Sequence, residues 1–204
     1  MNRKKFVAAG ILGFSLLNLP SFSLAQTNNN KDPLNPFYIP PSQTLEPGTG
    51  NINIRTIIQS KKTGKQISNV EVTVAPKQIG PSPHMHDNLD ELMYVLEGTA
   101  TIMIGKEIYE VEAGGWNFRP RKIVHSFWNA SEKPLRFIDC FFNQSFEDYL
   151  EGLFHKIIPE MVKKKLNPAS PVIANQLTAL DKKFGVTWFH KERHAIIDKY
   201  QLKG

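Results

Sequence analysis

Cysteine is nearly absent from this sequence, and that scarcity limits how the chain can be stabilised. Cys140 is the only cysteine among 204 residues, so no disulfide can form within one chain. It lies in the strand-like segment RFIDCFF, where we expect a buried thiol. Stability must therefore come from a packed core, and the length suffices for one domain but not for two ordinary ones.

Long apolar runs and basic clusters are also scarce. The apolar run near the N-terminus covers residues 6–19 and is shorter than the roughly 20 residues that a membrane-spanning helix needs. Lys163, Lys164 and Lys165 form the only basic run of note, and they close a predicted helix, where positive charge suits the helix dipole. We therefore expect no nucleic-acid partner.

Residues 1–25 have the layout of a secretory signal peptide. The basic head NRKK precedes the apolar run, and the small-residue segment SLA ends at Ala25. We expect cleavage after Ala25, export to the periplasm or the medium, and no stable membrane anchor afterwards; an uncleaved anchor is the alternative. Cleavage removes three positive charges and lowers the net charge from +6 to +3.

The rest of the chain divides into three segments. Residues 26–50 are rich in proline, asparagine and polar residues and predict an extended arm, whose part 36–40 is apolar enough to pack on the body or on a partner subunit. Residues 51–143 contain short runs of β-branched and aromatic residues between turn glycines, with no helix among them. This pattern predicts an all-β sandwich or barrel, including the jelly-roll type.

Residues 144–204 predict a C-terminal helical tail. Apolar side chains recur at every third or fourth position from Phe146 to Val162, which indicates one amphipathic helix. Ser170 followed by Pro171 predicts the start of a second helix, and Gly185 its end. The segment HKERHAIIDKY favours a short third helix.

Two of only six histidines stand one residue apart in the segment HMHDNLDELMYVLEG. On a strand, His84 and His86 would face the same side, and Glu91 could return beside them on the neighbouring strand. With His125 of IVHSFWN they would form a mixed nitrogen and oxygen set that suits Fe, Mn, Co, Ni, Cu or Zn. The spacing alone leaves open that these are unrelated surface or core histidines.

The same residues resemble the two motifs of the cupin family. The first motif comprises Gly80, His84, His86, Glu91 and Gly98, and the second comprises Gly114, Pro120, His125 and Asn129. The resemblance implies a double-stranded β-helix barrel and a divalent transition metal (Fe, Mn, Ni, Cu or Zn) with four ligands: His84, His86, Glu91 and His125. Gly80 stands closer to the histidines than in the family pattern, and Lys122 replaces a turn glycine, so the rim of the pocket is expected to differ. The tail segments FNQSFEDYLEGLF and ALDKKFGVTW are similar to small bacterial cupins of the quercetin-dioxygenase-like group.

Strand alternation indicates which residues would line a pocket around this site. Inward-facing Glu91 places Met93 on the same face, and inward-facing His125 does the same for Phe127 and Asn129. Two further candidates, Trp116 and Phe118, lie on the strand that enters the second motif. The sequence does not decide which face of that strand they occupy. Three cations near the mouth either attract an anion or are ordinary solvated rim charges, and we favour the second interpretation: Arg119, Arg121 and Lys122.

The resemblance implies a metal-dependent, dioxygenase-like oxidoreductase that acts on a small organic compound, with Glu91 doubling as a catalytic base. The alternatives are a non-catalytic cupin that binds a small molecule or sugar, and a metal-dependent isomerase or decarboxylase. Export would load the metal outside the cytoplasm, where the affinity order favours Cu and Zn. Because the arm and the helical stripe offer more apolar surface than one barrel should expose, we also predict a homodimer.

Overall fold

The strands of this chain form two antiparallel sheets. The computed structural model describes residues 34–48 and 50–204. Its strands are β1 (Ile52–Ile58), β2 (Ile67–Val74), β3 (Gln78–Ile79), β4 (His84–His86), β5 (Asp90–Glu97), β6 (Thr99–Ile104), β7 (Glu107–Glu112), β8 (Trp116–Arg119), β9 (His125–Asn129), β10 (Leu135–Phe142) and β11 (Val186–Trp188). One sheet has the order β1-β2-β10-β5-β8, and the other β11-β4-β9-β6-β7, with β3 paired to β9. The predicted all-β fold with a helical tail is confirmed.

The core lies between the two sheets and follows the alternation of β5 and β10. Met93 and Val95 of β5 are fully buried, and Phe137 of β10 lies directly opposite Val95. Full burial of such a side chain stabilises the fold by about 1.5–3 kcal/mol. The same alternation turns Glu91 inward, as predicted, because it lies two residues before Met93 on the same face.

The prediction of a buried thiol at Cys140 is wrong. On β10 the buried residues include Asp139 and Phe141, whereas Cys140 between them is only partly buried. Successive strand residues point to opposite faces, so a strand rich in apolar residues still turns half of its side chains away from the core. The composition around Cys140 indicated a strand but not the face on which the thiol lies.

Backbone conformation explains two turn positions. Gly98, between β5 and β6, has φ +78°, and a Cβ there would lie 2.4 Å from the carbonyl oxygen of Pro134. Lys122 has φ +63°, the left-handed conformation that the glycine of the family pattern would adopt at lower cost. Its N–H donates to the carbonyl of His86 at 2.8 Å. The replacement of this glycine by lysine therefore keeps the backbone of the turn, with strain of about 1–2 kcal/mol.

Four α-helices follow the barrel strands in the described part of the chain: α1 (Glu147–Gly152), α2 (Ile158–Lys163), α3 (Pro171–Phe184) and α4 (Arg193–Tyr200). The single helix predicted from Phe146 to Val162 is interrupted by a π-helical turn, Leu153–Ile157. The start and the end of α3 are confirmed, with Gly185 in the left-handed conformation that ends a helix. The Ser170 hydroxyl does not cap α3, because it donates to the carbonyl of Asn167.

The described part of the arm runs beside β1 without forming a helix or strand between residues 34 and 48. Arg55 donates to the carbonyl of Gln43 at 2.9 Å, and Asn53 donates to the carbonyl of Glu46 at 3.1 Å. The predicted signal peptide and the first residues of the arm lie outside the described residues. Within residues 34–48 and 50–204, no helix combines the length and apolarity needed to cross a bilayer.

Candidate metal centre

Three histidines meet where two neighbouring strands of the second sheet run side by side. His84 and His86 lie on β4, and His84 is directly opposite His125 at the start of β9. All three side chains are buried, while Met85 between the first two is only partly buried on the other face. The candidate ligand nitrogens of the three histidines lie within 4.8 Å of one another. The alternation of β4 and the pairing of β4 with β9 therefore bring these imidazoles together.

Glu91 reaches the histidines from β5 in the other sheet. Its Oε2 lies 2.8 Å from His125 Nε2, and its Oε1 lies 3.8 Å from His86 Nε2. Asp90, the neighbouring carboxylate, points away and pairs with Arg121 on the outside of the barrel. The four side chains that the cupin resemblance implied as ligands thus converge on one point between the sheets.

Two of the imidazoles are oriented by backbone carbonyls. His84 Nδ1 donates to the carbonyl of Ser82 at 2.9 Å, and His125 Nδ1 donates to the carbonyl of Ile123 at 3.0 Å. Because Nδ1 carries the proton in the neutral ring, the lone pair lies on Nε2, the atom available to a metal. Each ring is therefore held in the tautomer that a metal ligand requires.

The atoms at the convergence point fit a cation. In the described part of the chain, His86 Nε2 is buried without a hydrogen-bond partner, and the buried atoms His125 Nε2 and Glu91 Oε2 lie 2.8 Å apart. Buried polar atoms nearly always have a hydrogen-bond partner, and a missing partner costs about 1–3 kcal/mol. In its Nδ1–H tautomer, His125 places a lone pair 2.8 Å from a carboxylate oxygen, an arrangement of two acceptors that a cation between them would stabilise. Three imidazoles and a carboxylate suit a divalent transition metal.

The protonation states also suit metal binding. Burial lowers the pKa of His84 well below its ordinary value and that of His86 to about 4, so both rings are neutral at neutral pH. Burial would raise the pKa of Glu91, but the guanidinium of Arg119 opposes the shift, and the pKa stays well below the ordinary value. Neutral imidazoles and an ionised carboxylate can ligate a cation without first losing a proton.

A buried ion pair adjoins the four residues. Arg119 of β8 and Asp139 of β10 are hydrogen-bonded to each other inside the barrel, and Arg119 Nε lies 3.5 Å from Glu91 Oε2. Burial raises the pKa of Asp139 to about 6, although Arg119 opposes the shift. The favoured interpretation of Arg119 as a solvated rim charge is wrong, because β8 turns this side chain inward. Arg121 is part of a surface pair, as that interpretation expected.

A cavity of about 300 Å³ opens beside His84 and Glu91 and is lined mainly by apolar side chains. The first sheet contributes Ile52, Ile54, Val70, Val72 and Phe141; the segment Phe146–Phe154 contributes Phe146, Tyr149, Leu150, Leu153 and Phe154. His84, Glu91, Arg119 and Asp139 provide a polar end. The arrangement can enclose a small apolar molecule and hold one end of it near the candidate ligands.

Only one of the five predicted pocket residues lines this cavity, namely Phe127. Met93 faces inward as predicted but lies deeper in the core. Asn129 is buried and donates to the carbonyls of Val74, Ala75 and Lys133, so it holds a turn. Trp116 and Phe118 are 59% and 53% exposed on the outer face of β8. On β8, Asn117 and Arg119 face inward instead, so the assignment of Trp116 and Phe118 to the pocket was wrong.

Sequence reasoning missed the contribution of the C-terminal segment to the site. β11 pairs with β4, with Val186 opposite His86 and Trp188 opposite His84. The Trp188 ring lies 4.9 Å from that of His84, and both Val186 and Trp188 line the cavity. A strand of only three residues after a helix has no periodicity to reveal it, although the apolar and β-branched segment VTW after Gly185 was a possible signal.

Comparisons with known proteins agree with this fold. Residues 70–141, which contain the four candidate ligands, match the family model described as Cupin domain. No curated protein matches the chain.

Several solved structures are similar to about half of the chain. The protein TT1209 from Thermus thermophilus is 20% identical over 48% of this chain and 90% of its own, with a TM-score of 0.44. KdgF from Halomonas sp. is 22% identical over 50% of this chain and 84% of its own, with a TM-score of 0.42. A predicted oxalate decarboxylase from Thermotoga maritima is 17% identical over 45% of this chain and 80% of its own, with a TM-score of 0.43.

Proposed function

We propose, from the premise that residues 70–141 form a cupin domain, that this chain is a metal-dependent enzyme that acts on a small, largely apolar organic compound. One observation carries the proposal: three buried imidazoles and a carboxylate converge at the polar end of an apolar cavity, and His86 Nε2 has no hydrogen-bond partner among the described residues. A purely structural cluster of these groups would satisfy its atoms with hydrogen bonds.

The side chains of this chain have separable roles in the proposed site. His84, His86, Glu91 and His125 would hold the metal, and the carbonyls of Ser82 and Ile123 keep two of the rings in the ligating tautomer. A bound transition metal would supply Lewis acidity and, if it is redox-active, electron transfer. The apolar walls exclude water from the compound, which strengthens every electrostatic interaction inside the cavity. Glu91 lines the cavity and is the candidate base.

Dioxygenase-like oxidation is the leading reaction within this proposal. It needs a metal with open coordination positions and a substrate held beside it, and a cavity lined by two of the candidate ligands, His84 and Glu91, supports both requirements. The second candidate is a carrier that binds its ligand without a reaction. The carrier is favoured by the polar groups that line the cavity besides the candidate ligands, because these groups are already paired with protein partners. Tyr149 donates to Asp181 at 2.8 Å, and Asp139 pairs with Arg119.

Metal analysis of variants tests the ligand set. We expect the purified chain to contain near-stoichiometric metal by mass spectrometry of the elements, and His86→Ala or His125→Ala to lose most of it while circular dichroism stays unchanged. The matched control is His155→Ala, because His155 is an exposed residue of the π-helical turn and pairs only with Glu151 in the described part of the chain. Full metal occupancy in both site variants would overturn the ligand assignment.

The metal found then directs the test of catalysis. With stoichiometric Fe, Mn, Ni or Cu, we expect O₂ uptake with at least one member of a panel of phenolic and diketone compounds, and none with His86→Ala. Binding of panel members without O₂ uptake or any product would favour the carrier. Zinc as the native metal would turn the search to isomerisation, decarboxylation or binding.

Export is part of the proposal and rests on the sequence of residues 1–25. The basic head, apolar run and small-residue exit support a signal peptide. Expression of the full chain in a Gram-negative host should give a periplasmic protein whose first residue is Gln26. Recovery of uncleaved protein from the cytoplasm would contradict export without affecting the metal site.

A further inference from the structure

Arg119 is a buried cation with mostly unused hydrogen-bonding capacity. Its side chain is 1% exposed and lines the cavity. A guanidinium has five N–H donors. Among the described residues, the hydrogen bond that Arg119 makes is the one from Nη2 to Asp139; its Nε lies 3.5 Å from Glu91 Oε2 without forming a hydrogen bond. Buried donors without acceptors are costly, so this end of the cavity suits a ligand with acceptor atoms.

The charges around the cavity also favour a particular ligand. Glu91 and Asp139 contribute two negative charges, and Arg119 contributes one positive charge. A divalent metal held by neutral imidazoles and Glu91 would leave the polar end with one positive charge in excess. An unpaired charge in a buried site is unfavourable, and a singly charged anion would remove it.

The remaining walls define the other end of the ligand. Phe127, Phe146, Leu153 and Phe154 present apolar surface, and the Phe127 ring lies 5.8 Å from the guanidinium carbon of Arg119. A volume of about 300 Å³ corresponds to roughly ten water molecules at about 30 Å³ each. The body of the ligand is therefore apolar and of roughly ten non-hydrogen atoms.

We propose that the cavity binds a small organic monoanion, with its anionic oxygens toward Arg119 and the metal position and its apolar body against the aromatic walls. This inference rests on the proposed function, because the excess positive charge requires the metal. It narrows the substrate class from small apolar compounds to carboxylates and enolates that carry one apolar group. Arg119 is the specificity-determining residue for the charge.

Isosteric probes test the charge preference in the wild-type protein. Zinc-loaded chain, with its metal content measured first, is titrated by calorimetry with benzoate, with the neutral isostere benzamide, and with acetate. We expect benzoate to bind at least tenfold more tightly than benzamide, because only the anion balances the excess charge. We expect acetate to bind at least tenfold more weakly than benzoate, because it lacks the apolar body.

A pair of arginine variants tests the residue. Arg119→Lys keeps the charge but loses the planar fork of donors, and we expect benzoate affinity to fall about tenfold while benzamide affinity and zinc content stay within twofold. Arg121→Lys is the matched control, because Arg121 is two residues away in sequence and pairs with Asp90 outside the cavity. We expect no change in either affinity for this control.

The outcomes separate the two proposals. Stoichiometric zinc with equal affinities for benzoate and benzamide would overturn the monoanion inference and leave the metal-dependent function in place. Failure to bind zinc or any other transition metal would overturn both. If Arg119→Lys does not fold, the comparison of benzoate with benzamide in the wild-type protein decides.

Discussion

Replacement of Gly80 by alanine tests how closely the segment before the histidine pair must approach β9. The Gly80 N–H donates to the carbonyl of Phe127 at 3.0 Å. A Cβ on Gly80 would lie 2.3 Å from that same oxygen and 2.9 Å from the Phe127 ring. The nearest clash is with a backbone atom, so a side-chain rotation cannot relieve it, and the two segments must separate.

The size of the effect follows from this geometry. A carbon normally approaches a carbonyl oxygen to about 3.3–3.6 Å, so the backbones must move apart by on the order of 1 Å. The movement breaks the Gly80–Phe127 hydrogen bond, at about 0.5–1.5 kcal/mol, and strains the packing by about 1–3 kcal/mol. We therefore expect Gly80→Ala to lower the free energy of unfolding by roughly 2–4 kcal/mol.

Urea denaturation of the metal-free chain measures this loss. The control is Gly152→Ala, where the new Cβ would lie 3.4 Å from a flexible side-chain atom of Leu180. Gly152 is helical, so alanine there should leave stability unchanged or raise it by about 0.5–1 kcal/mol. A loss below about 1 kcal/mol for Gly80→Ala would show that the two segments can separate at little cost, contrary to this prediction. Phe127 lies two residues after His125, so a weaker hold on metal should accompany the loss.

Two further predictions concern pH and assembly. Burial lowers the pKa of His86 to about 4, against about 6.5 in an unfolded chain, so the folded state binds fewer protons between these values. Its contribution to the unfolding free energy is complete above pH 6.5 and is lost as the pH falls toward 4, by roughly 3 kcal/mol in metal-free protein. The pKa of Asp139 is raised to about 6, so this residue changes the unfolding free energy with pH in the opposite direction. The difference between wild type and His86→Leu in the slope of the unfolding free energy against pH therefore isolates the histidine. Equal slopes would contradict the expectation. The arm exposes 80% of Tyr38 and 45% of Phe37, which supports packing on a second copy. Light scattering at tens of micromolar should show a dimer that Tyr38→Ser weakens, and a wild-type monomer would rule it out.

The site could be anticipated from sequence where its logic is local. The alternation of strand residues places His84 and His86 on one face, and it places Glu91 opposite to Asp90, whatever the rest of the chain does. The boundaries of α3 were equally local, since Pro171 and Gly185 have backbone preferences of their own. Such features depend on neighbours within a few residues, and a single sequence contains all of that information.

Other features depended on partners that are distant in sequence. Alternation showed that Trp116 and Phe118 share a face, but only the pairing of β8 with β5 decided that this face is the outer one. The same pairing buried Arg119, which composition alone made a rim charge.

Residue patterns within short segments were sufficient to predict a β fold of short strands, a helical tail and a histidine-rich motif with one carboxylate beside it. Which residues line the cavity depends on the packing of the whole chain, because a cavity exists only between elements that meet in space. Trp188 shows this directly: it lines the cavity because β11 pairs with β4, roughly one hundred residues earlier in the chain. The entropic cost of closing a loop grows only slowly with its length, so two segments this far apart in the chain can still pair. Such a pairing depends on contacts between the two segments, which the residues near either one do not reveal.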